Sequence, residues 1–394
     1  METKKLYYED SHLKTFSARV ESCMETEKGW QIILDATAFY PEGGGQACDL
    51  GILGERNVLD VQEAEGAVVH LCDGPLPVGE TVEGAIDWER RFDLMQQHSG
   101  EHMLSGVIHR LYGFQNMGFH IGNGLVTVDV AGPVPTEDLQ KIEDMTNAAI
   151  WANRPVKAWY PEAEELHTIP YRFKKALEGP VRIVEFPGTD ICACCGTHVK
   201  ATGEVGLVKI VSCVKFRQGV RLEMVSGARA FLHLRLAYEQ NRQVSQAFSA
   251  KIMETGEAAR KMNEALNGEK FKVTGLRWQL FDRVAEDFRR KGNVLYFADG
   301  LTPADIRELA DRIAKTCGGI AAVFSGEGTA YQMCMVCQAG DVKTLGSAMN
   351  QALRGRGGGK PGFFQGSVAA SREEIQAFFR DCGQVFVKSA QSNL

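Results

Sequence analysis

Residues 90–113, RRFDLMQQHSGEHMLSGVIHRLYG, decide how this chain is read. Phe92, Met95, Met103, Val107 and Leu111 recur near helical spacing and Gly113 is a stop signal, so the stretch predicts one long helix. On that helix His98 and His102 lie one turn apart, and both imidazoles can face a single ion. Far along the chain, ICACCGTHV (191–199) offers Cys194 and His198 at the same spacing. Three imidazoles and one thiolate suit a tetrahedral, borderline-soft ion, and Zn2+ fits best. Cys192 and Cys195 compete with Cys194 as ligand, or serve as small buried apolar residues. Spacing weighs a closed structural site and a catalytic one equally, because both use this donor set.

His98-Ser99-Gly100-Glu101-His102 also matches the H-x-x-E-H signature of inverted zinc peptidases, where the glutamate acts as general base. A solvated helix carboxylate is an equal reading of Glu101. A peptidase of that class needs a carboxylate ligand downstream, and the C-x-x-x-H pair argues against it.

Working outward, residues 1–85 alternate short apolar runs (WQIILDATAFY, GAVVHLCDGPLPVG, TVEGAIDW) with Gly/Pro punctuation, which predicts a small β-barrel. Residues 86–228 add a second helix, TEDLQKIEDMTNAAIWANRP, with Thr136 as its N-cap, and the strands VKAWY, VRIVEF, VGLVKIVSCVKF and VRLEMVSG. Residues 229–291 read as a helical arm broken near Gly256. Its stripe (Phe231, Leu234, Tyr238, Asn241, Ser245, Phe248, Ile252, Thr255, Ala259, Met262, Leu266) steps by three and four, a pattern for packing or for a homodimer. Between Arg242 and Lys291 there are 11 Lys/Arg against 7 Asp/Glu, a candidate phosphate-facing side. Residues 292–394 alternate strand and helix around GRGGGKPGFFQG (355–366), read as a glycine loop. Cys334 and Cys337 sit in an apolar strand pattern and read as core. The fold class is therefore multidomain α/β (α+β).

The 394 residues carry 44 Lys+Arg against 50 Asp+Glu, so a generally basic nucleic-acid coat is excluded while local basic strips are not. No apolar run approaches the ~18 residues of a membrane span. METKKLYYEDSHLK lacks the apolar core of a secretory signal, and 11 scattered cysteines read as reduced thiols, so a cytoplasmic protein is expected.

QQHSGEHML with CACCGTHV resembles the paired H-x-x-x-H and C-x-x-x-H motifs of alanyl-tRNA synthetase editing domains and of free-standing AlaX-type editing proteins. FYPEGGGQACDLG (39–51) is similar to the glycine-rich motif of their barrel domain. GRGGGKPGFFQG resembles the signature of the DHH-associated C-terminal domain. The resemblance implies a long-form editing protein whose partner is tRNA(Ala), with mischarged Ser-tRNA(Ala), and Gly-tRNA(Ala) as a second substrate, hydrolysed at a zinc-containing site. Two residues depart from the family: Cys195 stands where a glycine is usual, and Glu101 where the synthetase has a small polar residue.

On this reading His98, His102, Cys194 and His198 hold zinc, and Glu101 and His98 serve the chemistry. Gly43, Gly44 and Gly45 favour a hairpin turn by themselves. The resemblance makes them a substrate loop, with Gln46 and Asp49 on the terminal nucleotide. Arg354, Arg356 and Lys360 would hold tRNA phosphates. The homodimer would form through the arm or the C-terminal domain. The competing functions are a zinc peptidase and a non-catalytic tRNA-binding protein with a structural zinc.

Overall fold

The computed structural model describes residues 2–173 and 180–388, in two compact units, Met1–Gln243 and Val244–Leu394. In the first, six antiparallel strands close into a barrel: β1 (Thr15–Thr26), β2 (Gly29–Leu34), β3 (Gly51–Leu53), β4 (Arg56–Ala64), β5 (Ala67–Cys72) and β6 (Thr81–Ile86), ordered β1-β2-β5-β4-β3-β6. Alternation explains it. Phe16, Ala18 and Val20 point inward from β1 while their neighbours face solvent, and Ile32, Leu34, Leu53, Val61 and Val68 complete the filling. Closure leaves no unpaired edge among these strands.

Helix α1 (Trp88–Tyr112) follows directly. Asp87 caps its N-terminus by accepting from Arg90 N, and Gly113 ends it in the left-handed region at φ 72°. Residues Leu94 to Ile108 of this helix are buried without a break, so it is a central element and not a surface amphipath. Around it pack α2 (Leu139–Trp151) and a four-stranded antiparallel sheet. The sheet comprises β7 (Asn116–Ile121), β8 (Val126–Val130), β12 (Val208–Phe216) and β13 (Gly219–Ser226), in the order β12-β13-β8-β7. A smaller sheet holds β9 (Lys157–Trp159), β10 (Ile183–Phe186) and β11 (Asp190–Ala193). Thr136 is not the cap expected of it: it opens a short 3-10 turn ahead of α2 and makes no capping bond.

Arg91 clamps α1 to the barrel. Fully buried, it donates through Nε to Asp49 Oδ1 at 2.8 Å and through Nη2 to Asp49 Oδ2 and Ala38 O. Asp49 also accepts from Tyr40 N. Such a pair is tolerable in the interior because nearly every polar atom is satisfied. The first unit ends within α3 (Gly227–Ala247), which Arg229 anchors through Asp93 and Gly122 O.

In the second unit, α4 (Thr255–Asp287) begins after a short 3-10 turn at Ile252–Glu254. The helical arm is therefore interrupted between Ala247 and Thr255, ahead of Gly256. The expected cationic strip is largely neutralised within the arm: Arg242, Lys251, Arg260, Lys261, Lys272 and Arg289 each pair with a glutamate three or four residues away. Beyond α4, a six-stranded sheet comprises β14 (Gly292–Phe297), β15 (Gly318–Glu327), β16 (Ala330–Cys337), β17 (Arg356–Lys360), β18 (Phe363–Ala369) and β19 (Phe386–Lys388). Their order is β17-β18-β16-β15-β14-β19, parallel only where β14 meets β15 and β19. Helices α5 (Pro303–Cys317), α6 (Lys343–Ala352) and α7 (Arg372–Asp381) accompany it. Capping boxes at Thr302 and Ser371 start α5 and α7. The glycine stretch 356–360 is thus an exposed edge strand instead of a loop. Cys334 is fully buried there and Cys337 partly so.

Candidate metal centre

Four donors meet beneath the barrel: His98 and His102 from α1, and Cys194 and His198 from the segment after β11. Their ligand atoms all lie within 4.8 Å of one another. Cys194 Sγ is 3.3 Å from His198 Nε2 and 3.5 Å from His98 Nε2. Each imidazole is held from behind through Nδ1. His98 donates to Gln46 Oε1 at 2.8 Å, His102 donates to Asp190 Oδ2 at 3.0 Å, and His198 lies 3.2 Å from Ser99 Oγ. Fixing the rear nitrogen selects the tautomer and aims the other nitrogen, the arrangement that metal-ligating histidines use. The donor set fits a zinc ion.

Electrostatics agrees. Burial opposes ionisation of Cys194, but the imidazoles of His98, His198 and His102 overcome it and hold the thiol well below its ordinary range. Burial likewise opposes a charged His102. The Cys192 and Cys194 sulfurs and Asp190 outweigh that and raise it well above 6.5. Burial lowers His98 and takes His198 down to about 3. Asp190, despite burial, is held at about 2 by His102 and by Arg172, which donates to both carboxylate oxygens at 2.7 Å. Burial pushes Cys192 up to about 12. His102, Asp190 and Cys192 form a second, overlapping donor group that shares His102 with the first.

Three of the four donors, all but His198, line part of a cavity of about 540 Å³. His98, Glu101, His102 and Cys194 face it, together with Gly44, Gly45, Phe119, Arg172, Cys192 and Cys195. Glu101 accepts from Ser105 Oγ at 2.6 Å and from Asn116 Nδ2, which fixes its carboxylate at the wall. Both nitrogens of His98 are engaged, one with Gln46 Oε1 and one 3.5 Å from Cys194 Sγ.

The expected substrate loop divides. Gly43 and Gln46 exchange two backbone hydrogen bonds, and Gly44 and Gly45 between them take φ +61° and +89°, so the run is a tight turn that only glycines enter cheaply. Gly44 and Gly45 line the cavity. Gln46 and Asp49 do not act as expected. Gln46 is 1% exposed, binds Thr197 Oγ1 at 2.7 Å and orients His98, while Asp49 is fully buried against Arg91. Both side chains are buried and engaged with protein partners at the barrel–helix junction. Cys195 does line the cavity, whereas Arg354, Arg356 and Lys360 belong to the other unit.

Sequence reasoning missed Asp190, Arg172, Asn116, Ser105 and Arg182, whose Nη1 binds the carbonyls of Cys194 and Gly196 at 3.0 and 2.9 Å. One signal was available: Asp190, Cys192 and Cys194 alternate, which puts them on one face of a strand. Asp190 is also the nearby carboxylate that a peptidase reading would need, and it is spent on Arg172 and on the rear of His102.

Three family models match in order: "tRNA synthetases class II (A)" over 2–90, "Threonyl and Alanyl tRNA synthetase second additional domain" over 181–223, and "DHHA1 domain" over 291–388. The alanine–tRNA ligase of Pyrobaculum neutrophilum is 32% identical over 96% of this chain and 44% of its own length. That of Ignicoccus hospitalis is 37% identical over 58% of this chain and 26% of its own. The alanyl-tRNA editing protein Aarsd1-A of Xenopus laevis is 29% identical over 90% of this chain and 89% of its own. The chain thus spans less than half of the ligases it matches and nearly the whole of the editing protein.

Proposed function

Because the chain belongs with the free-standing alanyl-tRNA editing proteins and the corresponding part of the alanine–tRNA ligases, we propose that it is a zinc-dependent aminoacyl-tRNA deacylase acting on mischarged Ser-tRNA(Ala). One observation carries the reading: three imidazoles, each held through its rear nitrogen, converge with the Cys194 thiol, and His98, His102 and Cys194 of that group line a cavity that also holds the Glu101 carboxylate. Zinc held by His98, His102, Cys194 and His198 would supply Lewis-acid polarisation of the ester. Glu101, fixed by Ser105 and Asn116, takes the proton of the attacking water. Gly44 and Gly45 give the terminal ribose close backbone approach. Cys195, in place of a glycine, narrows the cavity against larger aminoacyl groups. The same proton returns from Glu101 to the ribose oxygen as the ester C–O bond breaks, so the ribose leaves as a neutral alcohol and the aminoacyl group as a carboxylic acid.

In the second unit, Arg356 and Lys360 fall on one face of edge strand β17 with Gly358 between them, a face suited to RNA phosphates. Arg354, tied to Ala369 O at 2.9 Å and to Glu374, supports that edge. Phe231, Leu234 and Tyr238 on α3 are exposed and would serve a homodimer. No helix among the described residues is long and apolar enough to cross a membrane, and the proposed reaction belongs in the cytoplasm.

The test is incubation with radiolabelled Ser-, Gly- and Ala-tRNA(Ala), and Ser-tRNA(Thr) as control, with and without a chelator. The expected result is chelator-sensitive loss of Ser-tRNA(Ala) first, then Gly-tRNA(Ala), with Ala-tRNA(Ala) spared. Unchanged Ser-tRNA(Ala) with a zinc-loaded protein overturns the reading.

A further inference from the structure

A cleft of about 970 Å³ adjoins the cavity that His98, His102 and Cys194 line, and the two share Gln115, Arg172 and Phe173 in their walls. Phe173 therefore stands at the rim between them. It is 59% exposed, a large ring left in water, with Tyr171 beside it at 5.8 Å between ring centroids. The segment bearing these rings is fixed. Arg172 N donates to Ile191 O at 2.8 Å and Ala193 N donates to Arg172 O at 2.9 Å, a parallel bridge onto β11. The same strand carries Asp190 and Cys192 and leads into Cys194, so the rings hold a set register to the metal donors.

Across the cleft, α1 contributes His109 and Arg110, about two turns beyond His102. Arg110 is exposed and steadied by Gly188 O at 2.6 Å. Of the two carboxylates in the wall, Asp190 is spent on Arg172 and His102, and Glu185 remains.

We propose that this cleft receives the nucleotide preceding the esterified terminal adenosine, with its base stacked on Phe173 and its phosphate on Arg110. The proposal rests on the deacylase reading, which puts the ester at the metal donors. A strand whose last ribose sits there must leave the cavity through an opening, and the shared rim is one lined by rings and cations. Unpaired bases stack on exposed aromatic side chains whatever their identity, so the contact adds grip without sequence choice.

The probe is a trinucleotide with a non-hydrolysable 3′ seryl amide and 2-aminopurine at its penultimate position. Binding to the zinc-loaded parent protein quenches the fluorescence. Phe173→Ala should abolish the quench and weaken binding about tenfold, while Phe173→Tyr keeps both. Should Phe173→Ala fail to fold, Arg110→Gln reads the same site: its log–log salt dependence should flatten by about 0.7. Equal quench and affinity in Phe173→Ala, or an unchanged salt slope in Arg110→Gln, overturns the proposal. Hydrolysis of Ser-tRNA(Ala) by the parent protein is scored separately. Its absence overturns the deacylase reading, whereas trinucleotide binding reports on the cleft alone.

Discussion

Gly196→Ala probes how tightly the two motif segments are locked together. A Cβ built on Gly196 falls 2.2 Å from His98 Cε1, 2.4 Å from His98 Nδ1 and 3.1 Å from Gln46 Oε1. Carbon–carbon contacts relax only beyond about 3.5 Å, so the His98 ring or the Gly196 backbone must retreat by roughly 1.3 Å. Neither can yield freely. Nδ1 of His98 is bound to Gln46 at 2.8 Å, and Gly196 O is bound to Arg182 Nη1 at 2.9 Å. Gly196 is not in the left-handed region, so the methyl group adds a collision without backbone strain. The expected cost is about 1–3 kcal/mol of stability from overpacking. Because the displaced ring is a donor and loses its rear partner, zinc affinity should fall at least 10–100-fold, as when such a partner is removed. Competition against a chromophoric chelator measures the affinity, and circular dichroism shows that the fold survives. Parental zinc affinity in Gly196→Ala would refute the packing argument. Gly44→Ala is the control: its Cβ meets nothing within 4 Å, so only the φ of +61° is penalised, at about 1–2 kcal/mol, and zinc affinity stays parental.

Four further outcomes are expected. His102→Ala should lose zinc, and chelation of the parent should lower the melting transition of Met1–Gln243 while leaving that of Val244–Leu394 in place; full zinc stoichiometry in the variant contradicts the ligand assignment. His70 is fully buried, and burial lowers its pKa from 6.5 to about 4. Its neutral ring therefore contributes fully above pH 6.5, and stability is lost as pH falls from 6.5 toward 4, by roughly 3 kcal/mol at most. His70→Gln should flatten denaturant-derived stability across that window, and an equally steep profile would show that His70 is not the sensor. Asp49→Ala strands the buried Arg91 charge and should cost about 3–5 kcal/mol, whereas removing both partners together should cost less than the single change; denaturation midpoints decide. Neutralising Arg354, Arg356 and Lys360 together should raise KM for mischarged tRNA and flatten its salt dependence with kcat nearly unchanged, since they lie outside the unit that holds the metal donors.

Local patterns were enough for much of the molecule. The apolar spacing from Phe92 to Leu111 specified α1, Gly113 specified its end, and the one-turn spacing put His98 and His102 on one face, because these depend only on helical geometry. Alternation in 1–85 specified strands whose inward residues fill a barrel. Where signals were polar and isolated, context decided instead. A break in the arm was expected near Gly256, but the stripe from Phe231 to Leu266 gave no warning that the first helix already stops at Ala247, nor that Arg242, Arg260, Lys261 and Lys272 pair with glutamates one turn away. The glycines of 357–359 read as a loop, yet pairing with β18 makes them a strand.

The sequence by itself determined which residues can ligate a metal, since thiol and imidazole chemistry travels with residue identity and spacing. Only the tertiary structure decided what holds those donors. Gln46 leaves the barrel to orient His98 across 52 residues, Asp190 reaches His102 across 88, and Asp49 is withdrawn into a buried pair with Arg91. A hydrogen bond between distant segments leaves no periodic trace in either one. It exists because folding brings two polar groups into a place where water cannot satisfy them, and each must then satisfy the other.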